Sequence, residues 1–137
     1  MKEQEEPRLP EPDLEVDEAA RVVVDAALEV HRTLGPGFLE SAYEEAMSVE
    51  LDLRGVRFAR QVPVAVKYKS IAVGEARFDF LVADRLVVEL KACPTLLPIH
   101  LAQVVSYLKA GNHPLALLIN FHERLLRQGI KRVIRTR

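Results

Sequence analysis

The stretch Arg77-Phe78-Asp79-Phe80-Leu81-Val82, followed ten residues later by Val87-Val88-Glu89-Leu90-Lys91-Ala92, decides how this chain is read. Each segment has the composition of a β-strand, and each sets charges inside an apolar run. Ala83-Asp84-Arg85 is short enough for a tight turn, so the two strands are expected to be neighbours, with Asp79 close to Glu89 and Lys91. Glu89 and Lys91, two residues apart, project from the same face. An isolated charge in such surroundings costs several kcal/mol. A mutual lysine–carboxylate pair would offset that cost structurally, and a divalent cation would offset it functionally; spacing alone leaves both open. Two carboxylates with a backbone carbonyl, such as that of Leu90, suit a hard ion such as Mg²⁺ or Mn²⁺. Lys91 beside them has the chemistry to orient or deprotonate water and to stabilise negative charge forming on a phosphate.

Working outward, Phe58 to Lys67 alternates Val62, Val64 and Val66 with polar or small residues. A turn at Lys69-Ser70 leads into Ile71–Val82, so a three-stranded meander is expected. Downstream, Pro94 and Pro98 precede a helix over about Leu97–Ala110, with Leu101, Val104, Val105 and Leu108 apolar and Gly111-Asn112 as its stop. Leu115-Ala116-Leu117-Leu118-Ile119 reads as a buried strand. A short helix or loop near Glu123–Gln128 and a strand near Ile130–Ile134 follow. Upstream, Val16 to Leu34 is helical, with Asp17 the expected N-cap and Gly35-Pro36-Gly37 the stop. A second helix over Leu39–Arg54 is expected to bury Ala42, Tyr43, Ala46, Val49 and Leu53. The order α-α-β-β-β-α-β-(β) is an α/β fold with a mixed sheet flanked by helices. The helix between the third and fourth strands is a right-handed crossover that makes that pair parallel. Whether helices cover one face or both is not decided by the pattern.

At 137 residues the chain fits one domain. Residues 1–14, with Pro7, Pro10 and Pro12 among acids, read as an acidic flexible tail, and residues 15–137 as the single domain. Residues 1–18 hold eight acids against Lys2 and Arg8, a net of −6, which leaves the remainder at +5. A mildly basic body is compatible with a nucleic-acid partner and equally with an ordinary solvated surface. One cysteine, Cys93, excludes an intramolecular disulfide. No apolar stretch reaches the ~20 residues of a membrane span, and Met1-Lys2-Glu3-Gln4-Glu5-Glu6 is the wrong chemistry for a signal peptide. The expectation is a cytoplasmic protein with no membrane partner.

Two further groups stand out. In Gly37-Phe38-Leu39-Glu40-Ser41-Ala42-Tyr43, Glu40 lies in the first turn of a helix, where its charge suits the positive helix end, and Tyr43 and Glu44 share its face. On the crossover helix His100, Gln103 and Tyr107 share a face. Gln103 can hydrogen-bond a phosphate, a water or Lys91, and Tyr107 reads equally as core with a polar tip.

Gly37-x-x-Glu40-x-x-Tyr43, the Phe-Asp strand, Glu-Leu-Lys, the Gln103-x-x-x-Tyr107 helix and Ile119-Asn120-Phe121, in that order, resemble the GxxExxY family of the PD-(D/E)XK nuclease-like superfamily. The resemblance runs from about Glu18 to Val133, with Phe78 standing where the superfamily name has proline. It implies that Asp79 and Glu89 are metal ligands for Mg²⁺ or Mn²⁺, with Glu40 an additional acid. It implies that Lys91, Glu40 and Gln103 act in catalysis, and Gln103, Tyr107 and Tyr43 are the expected substrate contacts. The function so implied is a metal-dependent nuclease hydrolysing phosphodiester bonds in nucleic acid, DNA favoured over RNA. The alternative is a non-catalytic module of the same fold that binds nucleic acid, dimerises or serves as an accessory protein. The small size leaves room for a homodimer or a larger complex. A Glu40 facing the acids would also make Gly37 a glycine kept small for close approach of helix to sheet.

Overall fold

The computed structural model describes residues 14–135. Its elements are α1 (Leu14–Leu34), α2 (Glu40–Leu53), β1 (Phe58–Tyr68), β2 (Ile71–Val82), β3 (Leu86–Lys91), α3 (Pro98–Gly111), β4 (Leu115–Asn120), a 3₁₀ turn (Leu126–Gly129) and β5 (Ile130–Ile134). The five strands form one mixed sheet in chain order. β3 and β4 are parallel, joined by α3, and the other pairs are antiparallel. Helices cover both faces. α1 and α2 pack with Phe80, Val82, Leu86, Val88, Leu90, Leu115, Leu117 and Ile119, while α3 packs with Phe78, Val87, Ala116 and Leu118. No described helix is long and apolar enough to cross a membrane.

The tail expected over residues 1–14 falls outside the described residues except for Leu14, which already opens α1. Asp17 is therefore not an N-cap. It lies in the first turn, where its charge still suits the helix end, and it is paired with Arg132 of β5 at 2.5 Å.

α2 buries Tyr43, Met47 and Leu51, not the stripe expected from the sequence; Val49 and Leu53 are 59% and 76% exposed. The helix carries two apolar stripes, and the four-residue ridge is the one that packs into the core against α1 and the sheet. α3 behaves likewise: Val104 and Leu108 are buried, while Leu101 and Val105 keep more than a third of their surface exposed. In neither helix does composition alone say which stripe faces inward.

The β1–β2 hairpin changes allegiance midway. Phe58, Phe80 and Val82 face the α1/α2 core, whereas Val62, Val64 and Phe78 face the α3 core. All six positions are even-numbered, so a regular period of two would keep each strand's members on one face. The switch falls where the ladder runs from Arg60↔Phe80 to Val62↔Phe78 with no Gln61↔Asp79 pair between. Gln61 there has φ +51°. A residue in the left-handed region turns the strand, so the outer half of the hairpin wraps over α3. Gly111 fits this wrap, since a Cβ on it would meet the Phe78 ring at 2.6 Å.

Candidate active site

The bend in β2 sets up the site. β2 and β3 pair only from Phe80↔Val88 to Val82↔Leu86, so beyond Val88 the two strands part. Parting strands orphan backbone groups, and a buried orphan is costly. Here the carboxylates take the amides: Asp79 N–H donates to Glu89 Oε2 at 2.9 Å, and Leu90 N–H donates to Asp79 Oδ2 at 2.8 Å. Asp79 and Glu89 thus stand side by side in the wedge between the strands. The Leu90 carbonyl, which in a strand points to the same side as its N–H, is aimed at that wedge past the end of the ladder.

Glu89 is only 5% exposed. Burial, then repulsion from Asp79 and, more weakly, Glu40, push its carboxyl up to about 8 against the pull of the Asp79 amide and Lys91. Asp79 is half-buried and also raised, by desolvation first and by Glu44 next, with the Leu90 amide, Lys91 and Gln61 opposing. Glu40, the first residue of α2, keeps solvent contact, yet partial desolvation and then Asp79 hold its carboxyl above the usual range, Lys91 opposing. Three carboxyls from α2, β2 and β3 therefore share one field.

Lys91 does not form the structural ion pair that the sequence left open. Its Nζ donates to Gln103 Oε1 at 3.4 Å, and among the described residues it makes no ion pair with Asp79 or Glu89. Tyr107, one turn further along α3, is half-buried. Its phenol is raised by desolvation, then by Glu89 and Asp79.

Tyr43 is elsewhere. It is fully buried and stacked on Phe121 at 4.5 Å. Its hydroxyl donates to Gly35 O at 2.5 Å and accepts from Phe38 N–H at 3.2 Å. The expected substrate contact from Tyr43 is corrected on this ground: the side chain ties the α1–α2 turn to the core and has no free polar atom to offer. Gly37 is corrected too. A Cβ there would meet nothing within 4 Å, so its φ of +114°, not close approach, calls for glycine.

Further participants were given no site role from the sequence. Glu44 accepts from Gln61 Nε2 at 3.0 Å and from Arg60 Nη2 at 3.1 Å, and Gln61 Nε2 also reaches Asp79 Oδ1 at 3.5 Å. Asn120, fully buried, holds both the amide and the carbonyl of Cys93 (3.1 and 2.9 Å) and so anchors the chain leaving Lys91. The order Ile-Asn-Phe drew notice only through the family pattern; its physical signal is a polar residue ending an apolar strand.

Among the described residues no three His, Cys, Asp or Glu side chains are spaced to hold a metal ion by themselves. The available donors are two carboxylates and a main-chain oxygen, a hard all-oxygen set. Glu89 is a buried acid that makes no ion pair among the described residues, and a divalent ion would relieve its repulsion from Asp79. These residues fit Mg²⁺ or Mn²⁺.

No curated protein matches the chain significantly. A family model described as the PD-(D/E)XK nuclease superfamily matches residues 17–133, from the first turn of α1 into β5. That span takes in the paired acids of β2 and β3, the Lys91 strand end and the crossover helix on one mixed sheet, and the chain belongs to the PD-(D/E)XK nuclease superfamily.

Proposed function

We propose that the chain is a metal-dependent nuclease of the GxxExxY branch that hydrolyses phosphodiester bonds in nucleic acid, DNA in preference to RNA. The observation that carries this reading is Glu89: a carboxylate 5% exposed, beside Asp79, with the nearest lysine committed to Gln103 instead of to it. Such an arrangement is expensive in an empty protein and makes sense as one half of a cation site. Asp79, Glu89 and the Leu90 carbonyl would hold Mg²⁺ or Mn²⁺, with Glu40 adjoining. A divalent ion there supplies Lewis-acid stabilisation of charge on a phosphoryl oxygen. The Lys91 ammonium, held by Gln103, orients the attacking water and faces the negative charge that builds on the phosphate. Tyr107 and Gln103 border the substrate.

A groove of about 620 Å³ between β1 and α3 supports an anionic partner. Lys67, Lys109 and Ser106 line it with Ala65, Val66 and Ala110, and no acid is among them. Neither ammonium is engaged in an ion pair among the described residues. The groove continues the α3 face that bears Gln103 and Tyr107, at a helical rise of roughly 1.5 Å per residue, so it lies within a few nucleotides of the acids.

Titration calorimetry with Mn²⁺ on the wild type and on Asp79→Ala, alongside cleavage of single- and double-stranded DNA and RNA, tests the proposal. Binding and cleavage that both vanish in Asp79→Ala are expected. A wild type that takes up no Mn²⁺ but still binds nucleic acid would leave the non-catalytic module in its place.

A further inference from the structure

Six residues other than glycine have positive φ among the described ones. Lys69 and Ser70 make the β1–β2 turn, Ala83 and Asp84 the β2–β3 turn, and Asn112 caps α3. Gln61 alone lies inside a strand, at φ +51°. Glycine, or failing that asparagine, is the residue such a position ordinarily selects. A glutamine there implies that something is required of its side chain, because the backbone conformation disfavours it.

What the conformation achieves is visible in the hydrogen bonds. Successive strand residues point to opposite faces, yet Arg60 and Gln61 both reach Glu44 of α2. Arg60 Nη2 and Nε lie 3.1 and 3.3 Å from Oε2, and Gln61 Nε2 lies 3.0 Å from Oε1. With Gln61 in the left-handed region, the two adjacent side chains converge on one carboxylate. The same Gln61 amide group reaches Asp79 Oδ1 at 3.5 Å, the oxygen opposite the one that caps Leu90 N–H. The Gln61 carbonyl is itself held by Arg77 Nη1 at 3.2 Å. One amide therefore joins α2, β1 and β2 where the ladder is missing its Gln61↔Asp79 pair.

We infer that Gln61 is a positioning residue for the metal site: its side-chain amide holds Asp79 in its ligand orientation and ties Glu44 of α2 to the bend. Asp79 is the more exposed of the two β-strand acids, half-buried where Glu89 is buried, so less of its surroundings is fixed by packing. The inference rests on the metal reading above only for its functional meaning; the hold on Asp79 is a property of the metal-free protein.

Gln61→Gly separates positioning from plain structural support, because glycine suits the φ of +51° while it removes the amide. Three readouts apply to the full chain. The thermal midpoint of the metal-free protein should stay within a few degrees of wild type or rise. Amide hydrogen exchange at Leu90, whose N–H is bonded by Asp79, should quicken at least fivefold while exchange across the β3–β4 ladder is unchanged. Mn²⁺ affinity by calorimetry should fall at least fivefold, and Gln61→Asn, which tolerates the backbone but has the shorter amide, should not restore it. Unchanged Leu90 exchange overturns the inference, whatever the metal does. Unchanged Mn²⁺ affinity with quickened exchange also overturns it as a statement about the metal site. A wild type that binds no Mn²⁺ refutes the metal reading instead, and Leu90 exchange then decides the hold on Asp79 by itself. Should Gln61→Gly fail to fold, Gln61→Ala is measured in the same way, with exchange at Leu90 normalised to the β3–β4 ladder.

Discussion

Replacing Glu89 by glutamine should stabilise the metal-free protein, and by an amount that depends on pH. The folded state raises this carboxyl from 4.5 to about 8, so the folded protein binds the proton more tightly than the unfolded chain does. The sign follows from proton linkage. Below pH 4.5 both states are protonated and the site costs nothing. Between 4.5 and 8 the unfolded chain gives up its proton first, and folding stability falls as pH rises. Above 8 the full penalty is present, at most about 5 kcal/mol at 1.36 kcal/mol per pH unit. Glutamine keeps an oxygen to accept from Asp79 N–H, the bond now made at 2.9 Å, but its NH₂ has a partner to find, which returns about 1–3 kcal/mol. The net expectation at pH 8.5 is a gain of about 2–4 kcal/mol, large against total stabilities of about 5–15 kcal/mol, and a rise in melting temperature of roughly 6–16 °C. Near pH 4.5 the gain should vanish or reverse. Differential scanning calorimetry of both proteins in chelator, at pH 4.5, 6.5 and 8.5, measures it. A saturating excess of Mn²⁺ at pH 8.5 should then raise the wild type and leave Glu89→Gln where it was. A mutant that is less stable than wild type at pH 8.5 would refute the reasoning, because it would mean that Glu89 is held by a cationic partner in the folded protein.

Glu40→Gln distinguishes an acid of the site from a residue that only suits the helix dipole. Mn²⁺ affinity should fall at least tenfold, equivalent to ~1.4 kcal/mol, with a midpoint at pH 8 equal to or above wild type because a repelling charge has gone; an unchanged affinity would leave Glu40 with the helix-end role alone, worth about 0.3–1 kcal/mol. Tyr43→Phe should do the opposite. It strips the Gly35 carbonyl and the Phe38 amide of their shared partner, costs about 1–3 kcal/mol in denaturant unfolding, and leaves Mn²⁺ affinity at the wild-type value.

Much of the fold was legible because local signals agreed with one another. The helix stops at Gly35 and Gly55, the turns at Lys69-Ser70 and Ala83-Asp84 and the β3-α3-β4 crossover all lie where turn chemistry and periodicity put them. The misreadings share one cause. Val49 and Leu53 of α2 are apolar side chains whose facing is chosen by a neighbour distant in sequence, and a short helix with two apolar stripes cannot announce which one wins. Tyr43 was misplaced for a related reason. It stands in a motif with Glu40, and proximity in sequence was taken for a shared job, whereas Glu40 feels the charge of Asp79 while Tyr43 turns into the stack on Phe121.

The site was legible as composition but not as geometry. Charges inside apolar strands mark Asp79, Glu89 and Lys91, yet the pattern treats β1 and β2 as regular, with Val62, Val64 and Val66 in unbroken alternation. Unbroken alternation is compatible with a face switch only if one residue leaves the β region, and nothing in the letters of Arg60-Gln61-Val62 says that Gln61 does so. That departure has the larger consequence. A straight β2 would continue its ladder with β3 past Val88, pair Asp79 with Glu89 through their backbones, and leave both carboxylates projecting from a closed sheet face. The bend at Gln61 and Asp79 instead opens a wedge, frees the Asp79 and Leu90 amides, and turns the two carboxylates inward to meet them. The acids are thus held by the strand separation in which the proposed cation would sit, and the same bend carries the outer hairpin over α3, where Lys67 and Lys109 line a groove. Site and groove have a single backbone origin, so a variant that straightens β1 should lose both together.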